Sequence, residues 1–189
     1  MTVTYDEMNL PVKVSFHDAD RRLLSDVILI RDTTGRLISE EMHQGERLLF
    51  SGYLERAAPE ERERLAAMFE AALGDAVSRT IYGYDARGRL LTRNHKMGTL
   101  GGDSTTYRYD DGDDPVEETT EHRSREGSFD ETGNMHYTPD RVSVQHNRLE
   151  YVYDAHGNWT QRIVSLRSES ESIFQRSNIE RRTITYHST

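Results

Sequence analysis

Apolar and polar positions alternate with a period of two along much of this chain. Tyr82 and Tyr84, Tyr107 and Tyr109, and Tyr151 and Tyr153 each stand two residues apart. That spacing puts both rings of a pair on one face of a strand. Each pair runs straight into an aspartate: Asp85, Asp110 or Asp154. The alternation then resumes, with an apolar residue two places past a glycine at Leu37, Leu90, Met135 and Trp159. These four positions are expected to point the same way, toward the core. One stretch breaks the period. Leu65, Met68, Phe69, Ala72 and Leu73 fall on a 3.6-residue stripe. Pro59 suits its first turn, Glu60 and Glu61 its positive end, and Gly74 its C-terminal cap. The pattern predicts one helix over about 59–73, covering a face of the sheet.

Between the strand-like runs an internal repeat emerges: an aspartate followed three residues later by Gly or Asn. It occurs at Asp6–Asn9, Asp32–Gly35, Asp85–Gly88, Asp130–Gly133 and Asp154–Gly157. The carboxylate can accept the backbone amide two residues on, a type I turn follows, and the fourth residue leaves at positive φ. Gly adopts that conformation freely and Asn tolerates it. The product is a short hairpin closed by a bulge. Two further places resemble degenerate copies. Asp18-Ala19-Asp20-Arg21 has Arg at the Gly position, and its strain there predicts a turn of another shape. Asp110-Asp111-Gly112-Asp113 has its Gly one residue early. After Asn9 the apolar position holds Pro11.

Tyr82-Gly83-Tyr84-Asp85-Ala86-Arg87-Gly88-Arg89-Leu90 resembles the YD repeat of RHS-type bacterial proteins, aromatic-x-Tyr-Asp-x-x-Gly-Arg-Leu. Tyr151-Val152-Tyr153-Asp154-Ala155-His156-Gly157-Asn158-Trp159 is a second copy. Ile30 to Leu37 and Tyr107 to Asp110 are partial ones. The resemblance implies antiparallel strands of the kind that wind into hollow shells around toxin domains. Some family members are linked to cell surfaces and carbohydrate. This chain is too short to close a shell. It also lacks the Asp-Pro-x-Gly of the self-cleaving core, since Asp114-Pro115 is followed by Val116-Glu117. The expected fold is therefore a single, mainly β domain over 1–189: an antiparallel hairpin-repeat sheet interrupted by the helix.

Composition narrows the function. Hydrophobic residues make up 34% of the chain and charged ones 30%, so the core is expected to be thin. A net charge of −9 with no dense Lys/Arg run argues against nucleic acid. The absence of cysteine removes disulfides and thiolate chemistry. No apolar run reaches membrane-span length, and residues 1–6 do not read as a secretory signal. The default expectation is a cytoplasmic chain, or an envelope or secreted one if it belongs to a larger RHS-type protein.

Candidate chemistry is sparse. Asp110, Asp111, Asp113 and Asp114 crowd around Gly112, and calcium is the ion such an oxygen-rich turn would hold. The spacing is not that of an EF-hand, and a solvated turn is the ordinary reading. None of the eight His pairs at helical zinc spacing, although His136 and His146 could meet across a hairpin. Glu117, Glu118, Glu121 and Glu126 offer carboxylates for glycoside hydrolysis, but nothing selects a pair. Tyr82, Tyr84, Tyr107, Tyr109, Tyr151, Tyr153 and Trp159 form an aromatic ladder that stacks sugars if exposed and packs the core if not. The sequence thus favours a non-enzymatic β-repeat module, without cofactor, that binds or packages a partner protein or self-associates through sheet edges. A carbohydrate-binding module is the alternative, and a glycan hydrolase the second.

Overall fold

The computed structural model describes residues 1–44, 58–65, 76–98, 101–130 and 135–186. Among them, antiparallel strands run almost in chain order: β1 (Thr2–Tyr5), β2 (Pro11–His17), β3 (Leu23–Arg31), β4 (Leu37–Gln44), β5 (Ala76–Tyr84), β6 (Leu90–Met97), β7 (Gly101–Tyr109), β8 (Pro115–Ser124), β9 (Gly127–Phe129), β10 (Met135–Tyr137), β11 (Arg141–Tyr153), β12 (Trp159–Ser168) and β13 (Gln175–Arg181). Eleven form one sheet, ordered β1 to β8, then β11, β12 and β13. β9 and β10 pair only with each other, as a side hairpin between β8 and β11. A helix over 59–65 lies between β4 and β5, and its start is fixed where Pro59 predicted. The Ala58 carbonyl accepts from the amides of Glu61 (2.9 Å) and Arg62 (3.2 Å). Leu65 is half-buried, while Met68, Phe69 and Leu73 lie outside the described residues.

The repeat sets the register. Across six hairpins the residue before the aspartate pairs with the residue six further on: Tyr5 with Pro11, His17 with Leu23, Arg31 with Leu37, Tyr84 with Leu90, Tyr109 with Pro115 and Tyr153 with Trp159. Each pairing is followed at once by a register shift, so one residue beyond it is extra: Val12, Leu24, Ile38, Leu91, Val116 or Thr160. The bulge lets a turn of fixed length join two ladders without reversing their faces. Gly35, Gly88 and Gly157 stand at φ of 84°, 83° and 79°, as the spacing predicts, and Asn9 at 59°. Arg21 departs from expectation. It takes φ of 63° and closes the same turn as its glycine counterparts, its amide donating to the Asp18 carbonyl at 3.2 Å. The Asp18 carboxylate holds that turn against the strain by accepting the amides of Asp20 and Arg22, both at 2.9 Å. The Asp130 hairpin has its two strands, but Gly133 falls outside the described residues.

Among the described residues the sheet is not wrapped around a core, and substantial packing between its strands runs between ladder neighbours. Among the described residues Leu149, 4% exposed, is the one buried hydrophobic side chain; the other buried residues are Ser25, Asp26, Thr80 and Thr105. The chain exposes 13,080 Å². Among the described residues the predicted thin core is thus replaced by a single layer. Its back face carries Ile30, Ile81, Val142 and Val152 in the open, and its two outermost strands, β1 and β13, each keep one unpaired edge. No helix among the described residues is long and apolar enough to cross a membrane.

Candidate functional site

In an antiparallel meander every second turn falls at the same end of the sheet. The hairpins β1–β2, β3–β4, β5–β6, β7–β8 and β11–β12 therefore line one rim, carrying Asp6, Asp32, Asp85, Asp110 and Asp154 side by side. Each of four aspartates holds its turn with a single carboxylate oxygen. Asp6 accepts the amides of Met8 and Leu10, both at 2.9 Å; Asp32 those of Thr34 (2.9 Å) and Arg36 (3.0 Å). Asp85 accepts those of Arg87 (2.9 Å) and Arg89 (2.8 Å), and Asp154 those of His156 (2.9 Å) and Asn158 (3.0 Å).

Arginines after the glycine join one hairpin to the next. Arg36 and Arg89 bind the second oxygen of their own aspartates, Asp32 and Asp85, at 2.8 and 2.7 Å. Their guanidiniums also lie over the next hairpin's tyrosine, Arg36 at 5.2 Å from the Tyr84 ring centre and Arg89 at 4.4 Å from that of Tyr109. The tyrosines reach back in turn. Tyr84 donates its hydroxyl to the Leu37 carbonyl (2.6 Å) and Tyr109 to the Leu90 carbonyl (2.8 Å). Tyr153 donates to the Asp114 carboxylate of the Asp110 loop (2.9 Å).

These contacts shift the titrations coherently. The Thr34 hydroxyl bonded to Asp32, with the amides of Arg36 and Thr34, holds that carboxyl far below the usual range. For Asp85, burial pushes upward, but Arg89 outweighs it and the net shift is down. The Tyr186 hydroxyl lowers Asp154. Tyr153 moves the other way, pushed up to about 12 by burial and by the Asp114 carboxylate it faces.

The aromatic ladder lies on one face. Tyr82 pairs with Arg93, Arg93 with Thr105, Tyr107 with Glu118 and Glu118 with Asn147, which carries the same side of the sheet from β5 to β11. At its far end Tyr151 stands 5.9 Å from Tyr153 and 6.3 Å from Trp159, ring centre to ring centre. The rings are neither a core nor a bare platform: Tyr82, Tyr84, Tyr107, Tyr151 and Trp159 are half-buried, and Trp159 has Arg182 at 3.9 Å and Arg162 at 5.6 Å from its ring centre.

The acidic loop is engaged by cations from the neighbouring hairpin. Arg89 donates to the carbonyls of Asp110 (3.2 Å) and Gly112 (2.6 Å), and Arg87 to the Asp111 carbonyl (3.1 Å) and the Asp113 carboxylate (2.8 Å). Of the four candidate carboxylates, that of Asp113 accepts from a guanidinium and that of Asp114 from the Tyr153 hydroxyl. Among the described residues no group of three or more His, Asp or Glu is placed to hold a metal. His136 bonds Asp130 at 2.8 Å in the side hairpin, whereas His146 bonds Thr119 at 3.1 Å in the main sheet.

The candidate hydrolytic acids are dispersed as well. Glu117 and Glu118 are successive in β8 and so face opposite sides. Glu117 pairs with Arg108 at 2.8 Å, which lowers its pKa, the reverse of what a general acid requires. Glu126 pairs with Arg141 at 3.2 Å. The roles of the rim arginines and of Tyr186 do not follow from the repeat spacing. The recurring Gly35-Arg36 and Gly88-Arg89 were the available signal for the former, and Ile184-Thr185-Tyr186, a further aliphatic-x-Tyr, for the latter. The chain matches no protein-family model and no curated relative.

Proposed function

We propose that this chain is a non-enzymatic β-repeat module whose open sheet is completed by a partner protein or by further copies of itself. The observation that carries this is the single layer. Exposed Ile30, Ile81, Val142 and Val152 on one face and free edges on β1 and β13 supply both modes of association, face packing and strand addition. A YD-type repeat fits this role, because its hairpins are joined laterally and leave both faces for something else to cover. The aromatic face favours sugar less, since arginines lie over Tyr84, Tyr109 and Trp159.

Sedimentation over a wide concentration range, with hydrogen exchange on the same samples, tests the proposal. Association is expected, with amides of β1 and β13 or of the apolar face gaining protection as it proceeds. A monomer at all concentrations whose whole sheet is already strongly protected would show that nothing needs to complete it.

A further inference from the structure

Along the rim four of the five hairpins receive a tyrosine from a later part of the chain. The Asp32, Asp85 and Asp110 hairpins receive Tyr84, Tyr109 and Tyr153, all three carried at the ends of strands in the main sheet. The Asp154 hairpin receives Tyr186, which belongs to no strand. Beyond Arg181 one more backbone bond follows the ladder before the chain leaves it. The Arg182 amide donates to the Thr160 carbonyl at 3.0 Å, and its guanidinium bonds the Trp159 carbonyl and covers the Trp159 ring. Four residues on, the Tyr186 hydroxyl donates to the Asp154 carboxylate and accepts from the Asn158 amide at 2.7 Å. Its ring centre lies 4.2 Å from that of His156.

The joint shares with the internal ones a phenol hydroxyl delivered to the preceding hairpin; its arginine contact is reversed, the later segment's Arg182 lying over the hairpin's Trp159. The support differs as well. Tyr84 is held in place by β5, which is hydrogen-bonded on both sides, to β4 and β6. Tyr186 is 47% exposed and is held by side-chain contacts at the surface. Such contacts are individually weak and exchange readily with water.

We propose that the Asp154–Trp159 hairpin is a docking slot for a tyrosine-bearing strand of a partner chain, and that residues 182–186 occupy it as a displaceable strap. The inference rests on the reading of the chain as a partner-binding module and names what one end of its sheet accepts. The slot selects chemically. Asp154 and Asn158 together ask for one hydroxyl that both donates and accepts, which tyrosine offers and phenylalanine does not. Trp159 asks for a guanidinium four residues earlier in an extended segment, the spacing of Arg182 and Tyr186. A partner strand with an arginine and a tyrosine so placed would take the position of residues 182–186 past the end of β13 and take over both contacts. The strap then keeps the slot closed until such a strand arrives, because an intramolecular ligand competes at high effective concentration.

A fluorescently labelled peptide of the sequence from Arg182 to Tyr186 provides the probe. Its anisotropy is followed on titration with the full-length chain, with Tyr186→Ala, and with Tyr186→Ala combined with Asp154→Asn. Asn at 154 still accepts the turn amides but loses the charge that the phenol seeks. The peptide is expected to bind Tyr186→Ala about tenfold more tightly than the wild type, shifting the emission of the lone Trp159. Binding should be lost in the double variant and for the peptide with Phe in place of Tyr. Tyr186→Phe, which removes one hydroxyl and spares the packing, should fall between wild type and Tyr186→Ala. Equal affinity for wild type and Tyr186→Ala, binding indifferent to Asp154→Asn, or no binding to any form would each overturn the slot. Those results leave the completion of the sheet to be judged on sedimentation alone. A strictly monomeric chain that still exchanges its strap would remove that broader reading instead.

Discussion

Replacing Tyr84 by Phe isolates one joint between hairpins. The ring stays, and with it the Arg36 guanidinium 5.2 Å from the ring centre. What goes is the 2.6 Å bond to the Leu37 carbonyl, which ties β5 to a residue 47 positions earlier. A neutral hydrogen bond of this kind contributes about 1 kcal/mol net, because water satisfies both groups in the unfolded chain. In a protein of this size that lowers the melting temperature by about 2–4 °C. Tyr5→Phe supplies the control. Tyr5 occupies the same repeat position in the first hairpin, is 54% exposed and, among the described residues, bonds its hydroxyl to no other hairpin, so its change should stay within about 0.5 kcal/mol of zero. Urea denaturation of the two variants beside the parent measures the contrast. If Tyr84→Phe lies within about 0.3 kcal/mol of Tyr5→Phe, the phenol bond does not join the hairpins and the rim is held by its backbone ladders alone.

Arg21→Gly should stabilise the chain by about 0.5 kcal/mol, since the relief of a left-handed non-glycine residue slightly exceeds the entropy that Gly adds to the unfolded state. A drop in the urea midpoint would instead mean that the exposed Arg21 side chain makes a contact worth more than the strain. Acid should loosen the rim. Asp32, Asp85 and Asp154 all have folded pKa values below their ordinary 3.8, so their stabilisation is complete well above that pH and is lost as pH falls through and below it. Circular-dichroism melts between about pH 6 and about pH 2 should show the transition falling from about pH 4 downward, and a melting temperature flat across that range would contradict the assignment of these carboxylates to the turns.

The rim turns were legible in the sequence because they are made within six residues. An aspartate, two amides and a residue at positive φ need nothing from the rest of the chain, so Asp32, Asp85 and Asp154 could be placed from spacing alone. The same locality explains the error at Arg21. Its intrinsic preference opposed the turn, but Asp18 and the flanking ladder of β2 and β3 were strong enough to impose it. The shared face of the tyrosines also followed from a period of two, which any strand obeys.

Three features had no local signature. Alignment of the hairpins along one rim depends on strand order. The reach of each tyrosine to the hairpin before it depends on register across intervening loops, as with Tyr84 and Leu37. The third is the missing core. Alternation says which residues share a face, not whether another layer lies against it, and Leu37, Leu90 and Trp159 have the pattern of core residues whether or not a core is present. Burial belongs to the arrangement of layers, so only the tertiary structure could reveal that Trp159 is covered by arginines and that the described strands form a single layer.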